Sequence, residues 1–173
     1  MITDEKRYLD LAKKASDNSP CHRSKVGAII VKREKVIAIG INEPPPPQKN
    51  CAEIGWCHRD ANDIASGTEP DQCRCFGCHA ETNAIYEAAR AGGDGIDGAT
   101  MYVHGNTEIC RSCRGAIARA GIKMVTYMSK HGEIERINVE YDWGINALDQ
   151  KRKYDDWKES VLKERGSSKP SAC

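Results

Sequence analysis

Hydrophobic positions along the chain follow two rhythms. Behind Thr3 and Asp4, either of which can cap a helix, Tyr8, Leu9, Leu11, Ala12 and Ala15 recur at helical spacing. That spacing predicts an amphipathic helix to about Ser16, closed by Asn18-Ser19-Pro20. Two β-branched runs follow, Val26 to Val31 and Val36 to Ile41, on either side of the charged turn Lys32-Arg33-Glu34-Lys35. This is the pattern of a hairpin. Further on, helical spacing from Ala80 to Ala91 stops at Gly92-Gly93, and a strand is predicted over Thr100 to Val103. A second helix from Arg111 to Ala120 stops at Gly121, and a strand over Lys123 to Met128 follows it. Such alternation predicts an α/β sandwich around a mixed sheet. Past Gly132 the pattern weakens, to a strand near Ile137 to Tyr141 and a charged helix from about Ala147 to Leu162.

Between the hairpin and the first of these helices lies a stretch, 42–77, with no clear period. Pro44 to Pro47 forbid a helix there and favour extended chain. So long an irregular segment in a small domain calls for a function or an ordering ligand, and this one is rich in cysteine, so metal is expected to order it. The chain is read as one domain over 1–165, with 42–77 as a Cys/Pro-rich metal-binding loop and 166–173 as a disordered tail.

Charge and composition then narrow the class. Among 173 residues, 26 Lys and Arg stand against 25 Asp and Glu, so no global field draws the chain to nucleic acid or anionic membrane. No apolar run approaches the roughly 20 residues of a membrane span, and the charged N-terminus lacks a secretory pattern, so a cytoplasmic protein is expected. Nine cysteines, an odd number, argue against a disulfide framework and toward metal or catalytic thiols.

The chemistry concentrates at two helix starts. His79-Ala80-Glu81 opens one helix and Cys110-Arg111-Ser112-Cys113 opens the next. A Cys-x-x-Cys turn sets two sulfurs about one turn apart, able to grip one tetrahedral zinc, with His79 as third ligand and a fourth position left for water. The partial positive charge of a helix N-terminus favours thiolate at both cysteines. Glu81, two residues past the histidine, can reach that water without touching metal. It would take the water's proton, return it to a ring nitrogen and carry a second to departing ammonia, the pattern of zinc deaminases. Cys78 beside His79 reads as a packed small residue. A purely structural zinc module has no use for a carboxylate in Glu81's position, which sets the non-enzymatic alternative aside.

With these residues in view, the chain resembles the deoxycytidylate deaminases of the zinc-dependent cytidine-deaminase superfamily. The resemblance runs from about Tyr8 to Met128 and rests on the segments 26–31, Gly40-Ile41-Asn42, His79-Ala80-Glu81-Thr82-Asn83-Ala84-Ile85 and Ala120-Gly121-Ile122-Lys123. It implies a three-layer α/β/α sandwich with a mixed five-stranded sheet, a homo-oligomer, and deamination of a deoxycytidine nucleotide, foremost dCMP. The same chemistry on dCTP, a modified cytosine or a non-nucleotide base is the alternative. Two departures stand out: Ile109 replaces the proline that precedes the cysteine pair in this family, and the loop from Val103 to Cys110 is longer. Glu43 also replaces a glycine in a segment that serves effector binding in allosteric members.

The resemblance further implies a second, structural zinc, for which Cys21, Cys51, Cys57 and Cys73 are the preferred ligands and Cys75 and His58 the alternates. Four soft ligands would close such a site. For substrate, the resemblance puts Asn42 at the sugar or base edge. Arg23, with its planar fork, is a candidate for a 5′-phosphate, His104 for lining the pocket, and Asn83 for bonding near the site or holding the motif loop. Arg111, Arg114 and Arg119 read as a solvated basic face.

Overall fold

The computed structural model describes residues 2–65, 79–92, 95–105, 108–129, 131–144 and 155–161. The chain divides into two compact units, Met1–Val139 and Glu140–Cys173. Among the described residues, the first holds every strand and the candidate metal ligands. In the second, the described residues 140–144 and 155–161 are helical. The rest of the predicted terminal helix and the 166–173 tail lie outside the described residues.

The first unit runs α1 (Ile2–Asp17), β1 (Gly27–Lys32), β2 (Lys35–Ile41), α2 (Cys51–Ile54), α3 (His58–Ala61), α4 (Ala80–Arg90), β3 (Thr100–His104), α5 (Arg111–Arg119), β4 (Met124–Met128) and β5 (Ile134–Asn138). The strands form one five-stranded sheet in the order β2-β1-β3-β4-β5. It is mixed: β3 and β4 are parallel, and the other three pairings are antiparallel. The expected mixed five-stranded α/β fold is the one found.

Strand alternation sorts the two faces. A Cβ placed on Gly27 would collide with the backbone of Ala12 and Ser16, so that position faces α1. A Cβ on Gly40 would collide with the backbone of Ala80 and Ala84, so that position faces α4. Gly40 pairs with Ala28, the residue after Gly27, as the alternation requires. On the α1 face Tyr8, Leu9, Ala12, Ile29, Val31 and Tyr102 form one buried cluster, with the Tyr8 and Tyr102 rings 5.0 Å apart. On the other face Ala28, Ile30, Met101 and Val103 are fully buried. α4 and α5 lie side by side there.

The hairpin turn puts Arg33 and Glu34 at φ 49° and 63°, the left-handed pair that a tight two-residue hairpin demands. The Tyr8 hydroxyl donates to the Glu34 carbonyl at 2.9 Å and ties that turn to α1.

Two predicted boundaries shift. β5 begins at Ile134, three residues before the expected strand, and 139–144 is helical rather than extended. Only Ile134 and Ile137 of this edge strand are even half-buried, so its hydrophobic signal is faint and main-chain pairing with β4 defines it. Within 42–77, the described part contains two short helices. Asn50 and Glu53 make a reciprocal capping box at the start of α2. The Arg23 guanidinium donates to the Ile64 carbonyl at 2.8 Å and pairs with Asp60 at 3.2 Å. These contacts contribute to the order of the described residues 50–65.

Candidate active site

The site forms where two helix N-termini meet beside the sheet. His79 is the N-cap of α4, with extended backbone at φ −80° and ψ 137°. Cys110 is the N-cap of α5, at φ −65° and ψ 158°, and its sulfur accepts from the Cys113 amide at 3.5 Å. α4 can take its place because Gly40 lets the helix backbone rest directly on β2. Asn83 then fixes its height: its side-chain amide donates to the Ile41 carbonyl at 2.8 Å and the Glu43 carbonyl at 3.0 Å.

His79 Nδ1 lies 3.3 Å from the Cys110 sulfur and 3.3 Å from the Cys113 sulfur. A tetrahedral zinc, with Zn–S near 2.3 Å and Zn–N near 2.0 Å, needs N···S edges of about 3.5 Å. The three donors are thus spaced to share one zinc. Among the described residues they form the one cluster of three or more such groups able to hold a metal. Cys113 is fully buried, Cys110 half-buried and His79 exposed, so the site opens on the histidine side.

Glu81 is 1% exposed, and its Oε2 lies 3.7 Å from the Cys113 sulfur. A buried carboxylate beside the ligand set, and outside it, is what proton transfer at a metal site requires. The two thiols are strongly unequal. Hydrogen bonds from Cys113, then His79 and Ser112, bring the Cys110 thiol down to about 3 against the opposing effect of burial. Cys113 is pushed up by its hydrogen bond to Cys110, by burial and by the charge of Glu81. One negative charge therefore settles on Cys110 in the metal-free pair, and a dication would draw off the second proton as well.

The other sequence candidates scatter. Asn42 turns its amide to the backbone, its Oδ1 accepting from the Val26 amide at 2.7 Å and its Nδ2 donating to the Ser24 carbonyl at 2.9 Å. Arg23 reaches into the 57–65 segment, as described above. His104 pairs with Gly27 across β1 and β3 and so lies on the α1 face, opposite the cysteines. Burial lowers its basicity, and the charge of Lys13 on α1 adds to this. The structure does not bring His104 together with the cysteine pair. Cys51 and Cys57 are buried and Cys21 is half-buried. Among the described residues these cysteines form no three-ligand cluster, and Cys73, Cys75 and Cys78 lie outside the described residues.

Two neighbours of the cysteines escaped the sequence reading. Ser112 Oγ is 3.2 Å from the Cys110 sulfur, and nothing in the pattern marks a serine between two cysteines. Arg114, expected on a solvated face, is instead half-buried, with Nε donating to the Ile109 carbonyl at 2.8 Å and Nη2 paired with Glu108 at 3.0 Å.

A mixed sheet bearing a His-x-Glu helix and a Cys-x-x-Cys helix defines the class of zinc-dependent deaminases acting on amino-substituted rings. The family profile for the cytidine and deoxycytidylate deaminase zinc-binding region matches residues 2–129, and the chain belongs to that family. It is 36% identical to the deoxycytidylate deaminase of Enterobacteria phage T4 over 147 residues, covering 69% of this chain and 74% of that protein. It is 34% identical over 124 residues to the deoxycytidylate deaminase of Schizosaccharomyces pombe, covering 72% of this chain and only 36% of that longer protein. Among solved structures, the dCMP deaminase of cyanophage S-TIM5 in complex with dCMP and dUMP superposes with a TM-score of 0.55 at 32% identity. That match covers 71% of this chain and 79% of the other. Among the described residues no helix is long and apolar enough to cross a membrane.

Proposed function

We propose that this chain hydrolyses dCMP to dUMP and ammonia, with His79, Cys110 and Cys113 holding zinc and Glu81 moving protons. The observation that carries the reading is the buried Glu81 carboxylate 3.7 Å from the sulfur of Cys113. Zinc, when bound, supplies the Lewis acidity that makes water a nucleophile near neutral pH. Glu81 takes a proton from the water that attacks C4 of the base and delivers it to the adjacent ring nitrogen. It then carries the second proton to the amino group, which leaves as ammonia. The carboxylate ends as it began, and water plus cytosine balances uracil plus ammonia.

Asn83 and Asn42 belong to this reading as residues that hold the strand exit beside the substrate. Arg23 is the candidate for the 5′-phosphate, its side chain one quarter exposed at the edge of the 57–65 segment. A second, structural zinc on Cys21, Cys51, Cys57 and Cys73 is also proposed, supported by the burial of Cys51 and Cys57. No disulfide joins the described cysteines, which suits a reducing cytoplasm. Exposed Ile39, Trp56 and Tyr86 support assembly into a homo-oligomer.

The test is ammonia release by the zinc-loaded protein on cytosine, deoxycytidine, dCMP and dCTP, with metal content measured on the same sample. Turnover confined to dCMP is the expected result. Preference for dCTP would instead assign the longer loop between Val103 and Cys110 to a wider phosphate pocket. Silence on the whole panel with zinc bound would overturn the nucleotide reading.

A further inference from the structure

The segment leading to Cys110 raises a mechanical question. Zinc deaminases place proline ahead of the cysteine pair, and a proline ring fixes the backbone there by fixing φ. Ile109 has no ring, yet the ligand that follows it must hold its sulfur within a few tenths of an ångström to serve a tetrahedral ion.

The far end of this segment is anchored by sterics. Gly105 sits at φ 88° against the Lys25 carbonyl, where a Cβ has no room. At the near end Ile109 is 1% exposed. Arg114 completes the arrangement from one turn inside α5. Its backbone amide donates to the Cys110 carbonyl at 3.0 Å, and its Nε donates to the Ile109 carbonyl at 2.8 Å. These two carbonyls belong to the peptide units on either side of the Cys110 Cα. A single residue thus fixes the orientation of both planes from which the ligand side chain departs. Glu108 holds the guanidinium in place through Nη2 at 3.0 Å.

We infer that Arg114 is a positioning residue for the zinc ligand Cys110, doing through a side-chain hydrogen bond to Ile109 what a proline ring does elsewhere. The main-chain bond is common to any helix start. The side-chain bond is particular to an arginine in this position, because a planar fork can reach a carbonyl with one nitrogen and a carboxylate with another. The inference rests on the zinc site of the family and not on the identity of the substrate.

The experiment is a zinc titration of the purified protein against a chromophoric chelator, without nucleotide, on the wild type, R114A and R114K. Partners one bond removed from a metal ligand set its affinity by about 10-fold to 100-fold. R114A should therefore bind zinc about 10-fold more weakly. R114K, which keeps charge and length but loses the fork, should fall between the two. The thiolate-to-metal charge-transfer band of the cobalt-substituted protein should move in both variants, while the melting temperature of the metal-free protein stays near that of the wild type. Wild-type zinc affinity with an unmoved cobalt band in R114A, or in R114K should R114A fail to fold, would overturn the inference. A lowered metal-free melting temperature with an unmoved band would do the same, reducing Arg114 to general fold support. Because no substrate enters, a failed deamination assay leaves this result standing.

Discussion

Gly40 on β2 and Ala84 on α4 touch backbone to backbone: a methyl group on Gly40 would overlap the Ala84 amide and the Ala80 carbonyl. The strand and the helix that presents His79 and Glu81 are therefore in contact with no side chain between them. G40A has no flexible neighbour to displace and must push α4 off the sheet. We expect a loss of about 2 kcal/mol or more, read as a fall in melting temperature of roughly 5 °C or more, together with weaker zinc retention. A G40A protein with wild-type stability would mean that α4 rides further from the sheet than described.

Glu81 is predicted to be needed for turnover and dispensable for metal. E81Q keeps the side chain's shape and removes its ability to carry a proton. Its kcat should fall by at least about 100-fold, with one zinc per catalytic site still found by metal analysis. Loss of zinc along with activity would instead make the carboxylate a ligand.

Metal should shield the cysteine pair. In zinc-loaded protein, iodoacetamide should spare Cys110 and Cys113. After chelation Cys110 should be alkylated first, because it is half-buried and carries the negative charge, while Cys113 is fully buried and holds its proton. Mass spectrometry of tryptic peptides reads the order directly. Equal labelling of the two after chelation would contradict their unequal acidity, and labelling that ignores chelation would contradict a shared metal.

The Arg136 guanidinium grips Glu5 with two nitrogens, Nε at 2.9 Å and Nη2 at 2.5 Å, linking β5 to α1. This hydrogen bond, helped by the charge of Arg136, holds the Glu5 carboxyl below the ordinary value of 4.5. A carboxyl whose pKa is lower in the folded state contributes stability above its unfolded value and loses it as pH falls through the folded one. E5Q should therefore melt modestly below wild type at neutral pH, with the two curves converging as pH drops below 4.5. Salt should narrow the neutral gap. A gap that persists in acid would assign the effect to packing.

How much of this was legible depended on whether the signal was local. The β-branched runs that became β1 and β2, and the helical spacing of Tyr8, Leu9 and Ala12, are read from neighbours alone. The ligand set was legible because each half carries its own spacing and each half sits at a helix start. The Asn50-x-x-Glu53 capping box was written in the sequence and overlooked among the prolines. Arg114 was hidden because it reaches backwards past the helix start, to a carbonyl five residues earlier. The face His104 takes was not legible, because it depends on strand parity counted from Tyr102, which packs on Tyr8 of α1.

His79 and Cys113 stand 34 positions apart in the chain, and the polypeptide between them runs through α4, β3 and the start of α5. A ligand set that spans this interval closes a loop, which costs an unlinked chain on the order of 3 kcal/mol in entropy. Zinc shared by these residues is then a cross-link as well as a reagent. Withholding zinc would accordingly do more than silence the reaction: α4 and α5 would be left joined by packing and a few sulfur hydrogen bonds, and the pool of fully folded protein would shrink with the supply of the ion.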